Sequence, residues 1–169
     1  MTEISKLLNI SSLTKIRKKF KKKKIVLCHG VFDLLHVGHI NYFKAAKSFG
    51  DILVVSVTDD NHVNKGPGRP AFSISNRIKF LQEISSIDFV YISSFDTAVN
   101  VIENLKPNFY CKGFDYSSSH DQIDQNLKKE KYAINFVKGK FKIINQPSFS
   151  SSKFINDNDF QNLNIDGKK

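Results

Sequence analysis

The sequence predicts an α/β fold in which a single domain is built on a doubly wound parallel sheet. Apolar runs typical of buried strands alternate with segments of helical periodicity along most of the chain. The run DILVVSVTDD (51–60) is apolar almost throughout, as is typical of a parallel strand covered on both faces. Helices between such strands make right-handed crossovers that return the chain to the same sheet. The 169 residues, 40% of them hydrophobic, suffice for one core.

The first half of the alternation is clearly marked. KIVLCHG predicts a strand at residues 25–28, and GHINYFKAAKSFG predicts a helix that ends at Gly50. After the second strand, residues 61–73 form a loop rich in Gly and Pro. SISNRIKFLQEIS then predicts a helix capped by Ser73 or Ser75.

The second half repeats the pattern. DFVYI predicts the third strand, and DTAVNVIENLKP predicts a helix capped by Asp96 and stopped by Pro107. NFYCKGFDY predicts the fourth strand with its exit loop, and KFKIINQ predicts the fifth. A helix is expected near residues 122–137, and SFSSSKFIN predicts the serine-capped start of a last helix.

Three parts are expected along the chain. Residues 1–24 form a basic helical leader, residues 25–156 the α/β domain, and residues 157–169 a loose tail. Within the leader, SSLTKIRKKF predicts a helix capped by Ser11 or Ser12.

Positive charge is the main bias of the composition. The formal net charge is +10, and eight of the ten residues at 15–24 are basic. This favours polyanionic partners: nucleotides, phosphorylated metabolites, nucleic acid or an anionic membrane surface. Only Phe20 interleaves the charges, so the leader offers no stacking platform for a single strand. We therefore interpret the basic run as a solvated helix face, and expect no nucleic-acid partner.

Cysteine usage and hydropathy indicate the compartment. Cys28 and Cys111 form neither a CxxC motif nor a disulfide scaffold, so reduced thiols are expected. No apolar stretch approaches the roughly 18 residues of a membrane span, and no signal-peptide region is seen. These features predict a cytoplasmic protein.

The stretch CHGVFDLLHVGH concentrates polar groups at the first strand-to-helix junction. His36 and His39 are three residues apart at the start of a helix, so they share one face. Gly30 permits a tight turn, and Gly38 permits a close approach to the helix start. Unpaired N–H groups and the dipole at that start favour an anion, so the pattern favours a phosphate site.

Two other interpretations of this junction stay open. A metal site would use His29, His36 and His39 with Asp33. Its histidine pair is spaced i, i+3, whereas zinc hydrolases commonly use an i, i+4 pair with a glutamate between. The junction could also be only a buried turn.

The segment GVFDLLHVGH resembles the signature G-x-F-D-x-x-H-x-G-H of the HxGH nucleotidyltransferases, the cytidylyltransferase-like family, at every fixed position. The resemblance runs from about Lys24 to Asn156 and implies a Rossmann-like fold. KGPGRP (65–70) and KGFDY (112–116) are most similar to the adenylyltransferase that activates a heptose 1-phosphate for lipopolysaccharide. Glycerol-3-phosphate and ethanolamine-phosphate cytidylyltransferases share the signature but match KGPGRP less well.

This resemblance implies the reaction. A nucleoside monophosphate would pass from ATP or CTP to a sugar or polyol phosphate with release of pyrophosphate, for surface glycan or lipopolysaccharide precursors. Because the acceptor oxygen is already a nucleophile, catalysis would consist of positioning and charge stabilisation. Mg²⁺ would bridge the phosphates with few protein ligands, Asp33 being the one candidate. Family members often form homodimers.

The resemblance also implies site residues. His36 and His39 would bind the triphosphate and stabilise charge at the α-phosphorus, and Lys65 would neutralise phosphate charge. The nucleotide-binding residues expected at the ends of the strands are Gly30, Val31, Phe32, Asp33, Gly38, Arg77, Lys112, Gly113, Asp115, Ser150, Ser151 and Ser152.

Several positions also have an ordinary structural interpretation. Arg77 could pair with Glu83 or Asp88, and His29 is expected to be a packed residue at a strand end. The all-serine segment, where the family has Ser-Thr-Thr, and Phe114 after Gly113, where the heptose enzymes often carry a second glycine, leave the nucleotide and the acceptor open. The alternatives of another class are a basic module that binds nucleic acid or membrane and a nucleotide-binding regulator without turnover.

Overall fold

The fold is a six-stranded parallel sheet with helices on both faces, seen in a computed structural model that describes residues 6–113 and 121–145. The strands are β1 (Leu7–Leu8), β2 (Ile25–Gly30), β3 (Ile52–Thr58), β4 (Phe89–Ser93), β5 (Phe109–Gly113) and β6 (Lys140–Ile144). The helices are α1 (Ile10–Lys19), α2 (Val37–Lys47), α3 (Ile74–Glu83), α4 (Val99–Leu105) and α5 (Asp121–Phe136). The predicted α/β class and doubly wound parallel sheet are confirmed.

The strand order is β1-β4-β3-β2-β5-β6, and each neighbouring pair is parallel. The chain moves outward from β2 to β3 and β4, and then crosses back to place β5 on the other side of β2. The order therefore reverses between β2 and β5. In open sheets of this kind, the crevice at the carboxyl ends of the two strands at such a switch point is the usual place for a ligand.

Two apolar cores cover the two faces of the sheet. One core gathers side chains of α1, α4 and α5, and the other gathers those of α2 and α3. β3 is buried along its whole length, which explains its nearly continuous apolar sequence. Cys28 and Cys111 lie opposite each other on β2 and β5, and both are buried free thiols.

Residues 6–24, the described part of the expected leader, pack directly on the α/β domain, and the boundary at residue 24 stays a prediction. β1 pairs with β4 at the sheet edge, and α1 buries Leu13 and Ile16 in the same core as α4. The same helix exposes Lys15, Lys18 and Lys19, as the interpretation of a solvated face predicted. Local sequence did not reveal the edge pairing, because a two-residue strand carries no periodicity of its own.

Two predicted helix caps are wrong. Asn9, rather than Ser11 or Ser12, caps α1, and both serine hydroxyls donate to the Asn9 side-chain oxygen. α4 begins after Ala98 instead of being capped by Asp96. The expected last helix at SFSSSKFIN and the tail at 157–169 lie outside the described residues. Within the described ranges, no helix is both long and apolar enough to cross a membrane.

Replacing Ile16 with alanine tests whether α1 belongs to the domain core. Ile16 is fully buried among core side chains, so we expect Ile16→Ala to lower the free energy of unfolding by about 3 kcal/mol. Lys18→Ala, on the exposed face of the same helix, should change it by less than about 0.5 kcal/mol. Urea unfolding followed by circular dichroism measures both, and equal small effects would show that α1 is dispensable.

Candidate active site

The turn after β2 is shaped by a close packing of Gly30 and Phe32. Phe32 adopts a left-handed backbone with φ of 49°, and its ring packs against Phe43 and edge-on to His39. A Cβ at Gly30 would lie 3.1 Å from the Phe32 ring. The glycine therefore lets this ring sit beside the strand end, and the turn carries the chain directly to the start of α2.

His36 is the N-cap of α2. Its Nδ1 accepts a hydrogen bond from the backbone N–H of Gly38 at 3.1 Å, so the ring covers the first turn of the helix. A Cβ at Gly38 would stand 2.8 Å from the His36 ring. The close approach predicted at Gly38 is thus made by this ring, and the glycine between the two histidines is needed for it.

His39 lies against His36 at the same helix start. The two ring centroids are 4.1 Å apart, and the His36 backbone N–H points at His39 Nδ1 over a long 3.4 Å. Because both Nδ1 atoms accept, the neutral rings carry their protons on Nε2. Burial, the neighbouring His36 and the charge of Lys65 lower the pKa of His39 to about 4. At neutral pH His39 is therefore an uncharged N–H donor, beside a helix start without an acidic side chain in its first turn.

Asp33 ties the turn after β2 to the Gly/Pro-rich loop after β3. Its buried carboxylate accepts hydrogen bonds from Arg69 Nε at 2.7 Å and from the backbone N–H groups of Ala71 and Phe72 at 2.9 and 3.0 Å. These contacts hold the loop after β3 against the turn after β2. Three donors already occupy the carboxylate, so its oxygens are poorly placed to ligate a metal ion.

Arg77, on α3, contacts the same two loops. Its side chain is fully buried and donates to the backbone oxygens of Val31 at 2.5 Å and Thr58 at 2.8 Å, and to Asp60 at 2.7 Å. It also donates from Nε to the oxygen of Phe72 at 3.1 Å. These partners differ from Glu83 and Asp88, which the ordinary interpretation offered. They make Arg77 a residue that positions the loops, and its nucleotide contact stays a prediction.

Lys112 and Glu130 form a buried ion pair at the end of β5. Lys112 Nζ lies 3.3 Å from the Glu130 carboxylate, which also accepts from Tyr110 Oη and the Ala98 backbone N–H at 2.8 Å each. Burial alone raises the pKa of Glu130, but Lys112, His29 and these hydrogen bonds outweigh it and leave the pKa below its ordinary value. Glu130 is therefore ionised at neutral pH.

His29, at the end of β2, faces this pair from the neighbouring strand. It is buried, its Nδ1 lies 3.0 Å from Ser56 Oγ, and its Nε2 lies 3.4 Å from the Asp96 carbonyl oxygen. Burial and then the charge of Lys112 lower its pKa to about 4. These partners fit the interpretation of His29 as a packed residue at a strand end.

The structure brings most of the predicted site residues to one edge of the sheet. Gly30, Val31, Phe32, Asp33, His36, Gly38 and His39 follow β2, Lys65 and Arg77 follow β3, and Lys112 and Gly113 end β5. Lys65 is exposed on its loop, close enough for its charge to act on His39. A Cβ at Gly113 would meet nothing, so space is open there. Asp115, Ser150, Ser151 and Ser152 lie outside the described residues.

The placement of the histidines does not favour direct metal coordination. In the ranges 6–113 and 121–145, no group of three or more His, Cys, Asp or Glu side chains could hold a metal ion. His29 bonds to Ser56 and to the Asp96 carbonyl, whereas Asp33 bonds to the loop after β3. Their contacts therefore do not direct the two side chains to one metal position.

Sequence reasoning missed three residues of this edge: Asp60, Arg69 and Glu130. Arg69 lies inside the quoted KGPGRP segment, but nothing in the local pattern shows that its side chain folds back onto Asp33. Glu130 lies in a charged helix among lysines, and only the packing of α5 against the sheet shows that it is buried.

Comparisons with known proteins agree with this architecture. A family model described as Cytidylyltransferase-like matches residues 27–157. The bifunctional protein HldE of Helicobacter hepaticus is 35% identical over 137 residues, which cover 80% of this chain and 28% of that protein. HldE of Campylobacter concisus is 38% identical over 137 residues, covering 80% and 29%. This chain therefore spans less than a third of the length of these relatives.

Two solved structures share the fold. The lipopolysaccharide core biosynthesis protein of Thermoplasma volcanium GSS1 is 28% identical with a TM-score of 0.56, over 76% of this chain and 99% of that one. A pantoate-beta-alanine ligase of Francisella tularensis, in complex with beta-gamma ATP and beta-alanine, has a TM-score of 0.60 over 89% of this chain and 72% of that one. At 20% identity the second likeness concerns the fold alone.

Stability should fall with acidity because His29 is held neutral. Its pKa is about 4 in the folded protein against an ordinary value near 6.5, so the unfolded chain binds the proton first. The resulting stability is complete above pH 6.5 and is lost as pH falls from 6.5 to 4, by about 3 kcal/mol. In urea titrations at several pH values His29→Asn should flatten this part of the profile, and an unchanged slope would contradict the burial argument.

The Lys112–Glu130 pair gives a separate stability test. Glu130→Gln leaves the buried ammonium without its counter-charge, so the free energy of unfolding should fall by about 3 kcal/mol. Adding Lys112→Met should recover much of that loss, because no buried charge then remains. Glu103→Gln, at an exposed site of α4, is the control. If the single and the double variant lose stability equally, the ion pair is not the cause.

Proposed function

The chain belongs to the cytidylyltransferase-like family, and we propose that it transfers the adenylyl group of ATP to a sugar 1-phosphate, releasing pyrophosphate. The observation that carries the proposal is the pair of histidine rings, 4.1 Å apart, at the N-terminus of α2, beside the switch point of the sheet. Two N–H donors and a helix start are suited to a phosphoryl group whose charge grows during the reaction.

The chemistry needs no base and no covalent intermediate. An oxygen of the acceptor phosphate attacks the α-phosphorus of the nucleotide and forms a new P–O bond. The bond between the α-phosphorus and its bridge oxygen to the β-phosphorus breaks, and pyrophosphate leaves with that oxygen. His36 and His39 donate to the α-phosphoryl oxygens, while Lys65 offsets charge from the adjacent loop.

The remaining residues have supporting roles in the proposal. Asp33 and Arg77 hold the two loops in register, and Lys112 and Gly113 line the nucleotide side at the end of β5. Asp115 and the serines at 150–152 complete the nucleotide site, on the strength of the family resemblance alone.

Mg²⁺ enters the proposal as part of the nucleotide substrate. A divalent ion would neutralise phosphate charge. The occupied carboxylate of Asp33 fits an ion held by triphosphate oxygens and water rather than by protein ligands.

The choice of ATP and of a heptose 1-phosphate rests on sequence likeness. KGPGRP and KGFDY resemble the heptose 1-phosphate adenylyltransferases, and the HldE relatives cover the same stretch of chain. CTP with glycerol 3-phosphate or phosphoethanolamine is the second candidate, because the signature is shared by those cytidylyltransferases. A cytoplasmic site of action and a homodimer are further parts of the proposal.

Pyrophosphate release tests the function directly. We would combine each of the four nucleoside triphosphates and Mg²⁺ with heptose 1-phosphate, other sugar 1-phosphates, glycerol 3-phosphate, phosphoethanolamine and phosphocholine. The expected active pair is ATP with heptose 1-phosphate. Activity with CTP and a polyol phosphate would support the second candidate, and nucleotide binding without any turnover would support a regulator.

The variant His39→Ala tests whether the reaction takes place at the start of α2. Loss of one donor to the transition state should lower kcat about 100- to 1,000-fold while the circular dichroism spectrum stays unchanged. Lys18→Ala, on α1, should keep full activity. A His39→Ala enzyme as active as the original would refute the proposed role of this histidine.

A further inference from the structure

Arg69 has a donor that the described part of the chain leaves unused. Its side chain is 3% exposed, and its Nε donates to Asp33 Oδ2 at 2.7 Å. Its Nη2 is also buried, yet it makes no hydrogen bond to any residue that the structure describes. A guanidinium stays charged at every physiological pH, so this N–H group retains its full need for an acceptor.

An unsatisfied buried donor calls for an explanation. Burying such a group without a partner is costly, and the cost is larger for a charged group. Anchoring the loop does not explain it, because Asp33 needs only the Nε donor and the backbone N–H groups of Ala71 and Phe72. A lysine at position 69 would still offer Asp33 a charged donor. The planar guanidinium of arginine can keep Nε on Asp33 while its Nη2 donates to a phosphate oxygen.

The position of Arg69 relative to the histidines indicates which substrate phosphate it would bind. Through Asp33 it is fixed to the turn that leads to His36, and Lys65 of the same loop influences His39. The loop follows β3, which flanks β2 on the side opposite β5. A nucleotide lying over the β2–β5 crevice therefore leaves the β3 side of the α-phosphorus for the second substrate, as an in-line displacement requires.

We propose that Arg69 binds the phosphate group of the acceptor, a phosphate monoester, and aligns it for attack on the α-phosphorus. The inference rests on the proposed function and adds a specificity residue to it. Because Nη2 is buried, an anion can reach it only if the exposed residues 64–68 of the same loop shift aside. A phosphate oxygen then supplies the missing acceptor, and Asp33 keeps the guanidinium in place.

Arg69→Lys separates this role from loop anchoring. The lysine can still donate to Asp33, but it cannot reproduce the second donor of the fork. Isothermal titration with heptose 1-phosphate, in the presence of α,β-methylene-ATP so that no transfer occurs, measures acceptor binding alone. We expect about 10- to 100-fold weaker acceptor binding and a change of less than about twofold for the nucleotide analogue. In turnover, the KM for the acceptor should rise while the KM for ATP stays constant.

Asp33→Asn is the matched control for a loosened loop. It weakens the contact between Asp33 and the loop but keeps the Arg69 guanidinium. We therefore expect it to weaken the binding of nucleotide and acceptor to a similar extent, rather than that of the acceptor alone. If Arg69→Lys binds the acceptor as tightly as the original protein, or loses both ligands equally, the inference is overturned.

Acceptor binding tests the inference about Arg69, and pyrophosphate release tests the proposed reaction, so the two can fail separately. If none of the phosphate monoesters of the pyrophosphate assay binds the Arg69→Lys variant more weakly than it binds the original protein, the inference is overturned even when one of them is an active acceptor. If heptose 1-phosphate binds through Arg69 but no pyrophosphate is released with any nucleotide, the inference holds and the proposed transfer reaction fails.

Discussion

The site depends on the buried bonding between the loop after β2 and the loop after β3. Asp33 and Arg77 are both removed from water, and each satisfies backbone groups of a segment distant in sequence. The backbone in such irregular segments must find partners outside helices and sheets. Two buried charges supply them here and fix Arg69, His36 and His39 relative to one another. Removing either charge would leave several buried polar groups unsatisfied at once.

A second constraint is electrostatic. Lys112 lies beside β2, yet Glu130 balances its charge, and His29 and His39 are both held neutral by burial and by nearby positive groups. The edge of the sheet therefore presents donors without crowding fixed cations against one another. Such an arrangement suits a reaction in which negative charge increases at one phosphorus atom, because the donors are oriented before the substrate arrives. It also explains why the helix start needs no carboxylate cap: His36 performs that task with a neutral nitrogen.

Much of the fold could be predicted from the sequence because parallel strands and amphipathic helices leave strong local periodicity. The five longer strands and the helices between them were placed within a few residues of their observed bounds. The sequence does not predict features whose local pattern is very short, or for which several neighbouring residues could fill the same role. β1 has only two residues, and the cap of α1 depended on whether Asn9 or a following serine took the non-helical position.

For the candidate site, the sequence by itself determined the identity and order of the groups that carry the chemistry. The spacing of His36, Gly38 and His39 ensures that the two rings meet at a helix start, because residues three apart share a face. Only the tertiary structure decided which charged side chains are buried and with whom they pair. Asp33 meets Arg69 across 36 positions, and Lys112 meets Glu130 across two packed elements. Such pairs leave no periodic signal, since their partners are chosen by the crossing of the chain at the sheet edge and by the cost of a buried charge that stays unpaired.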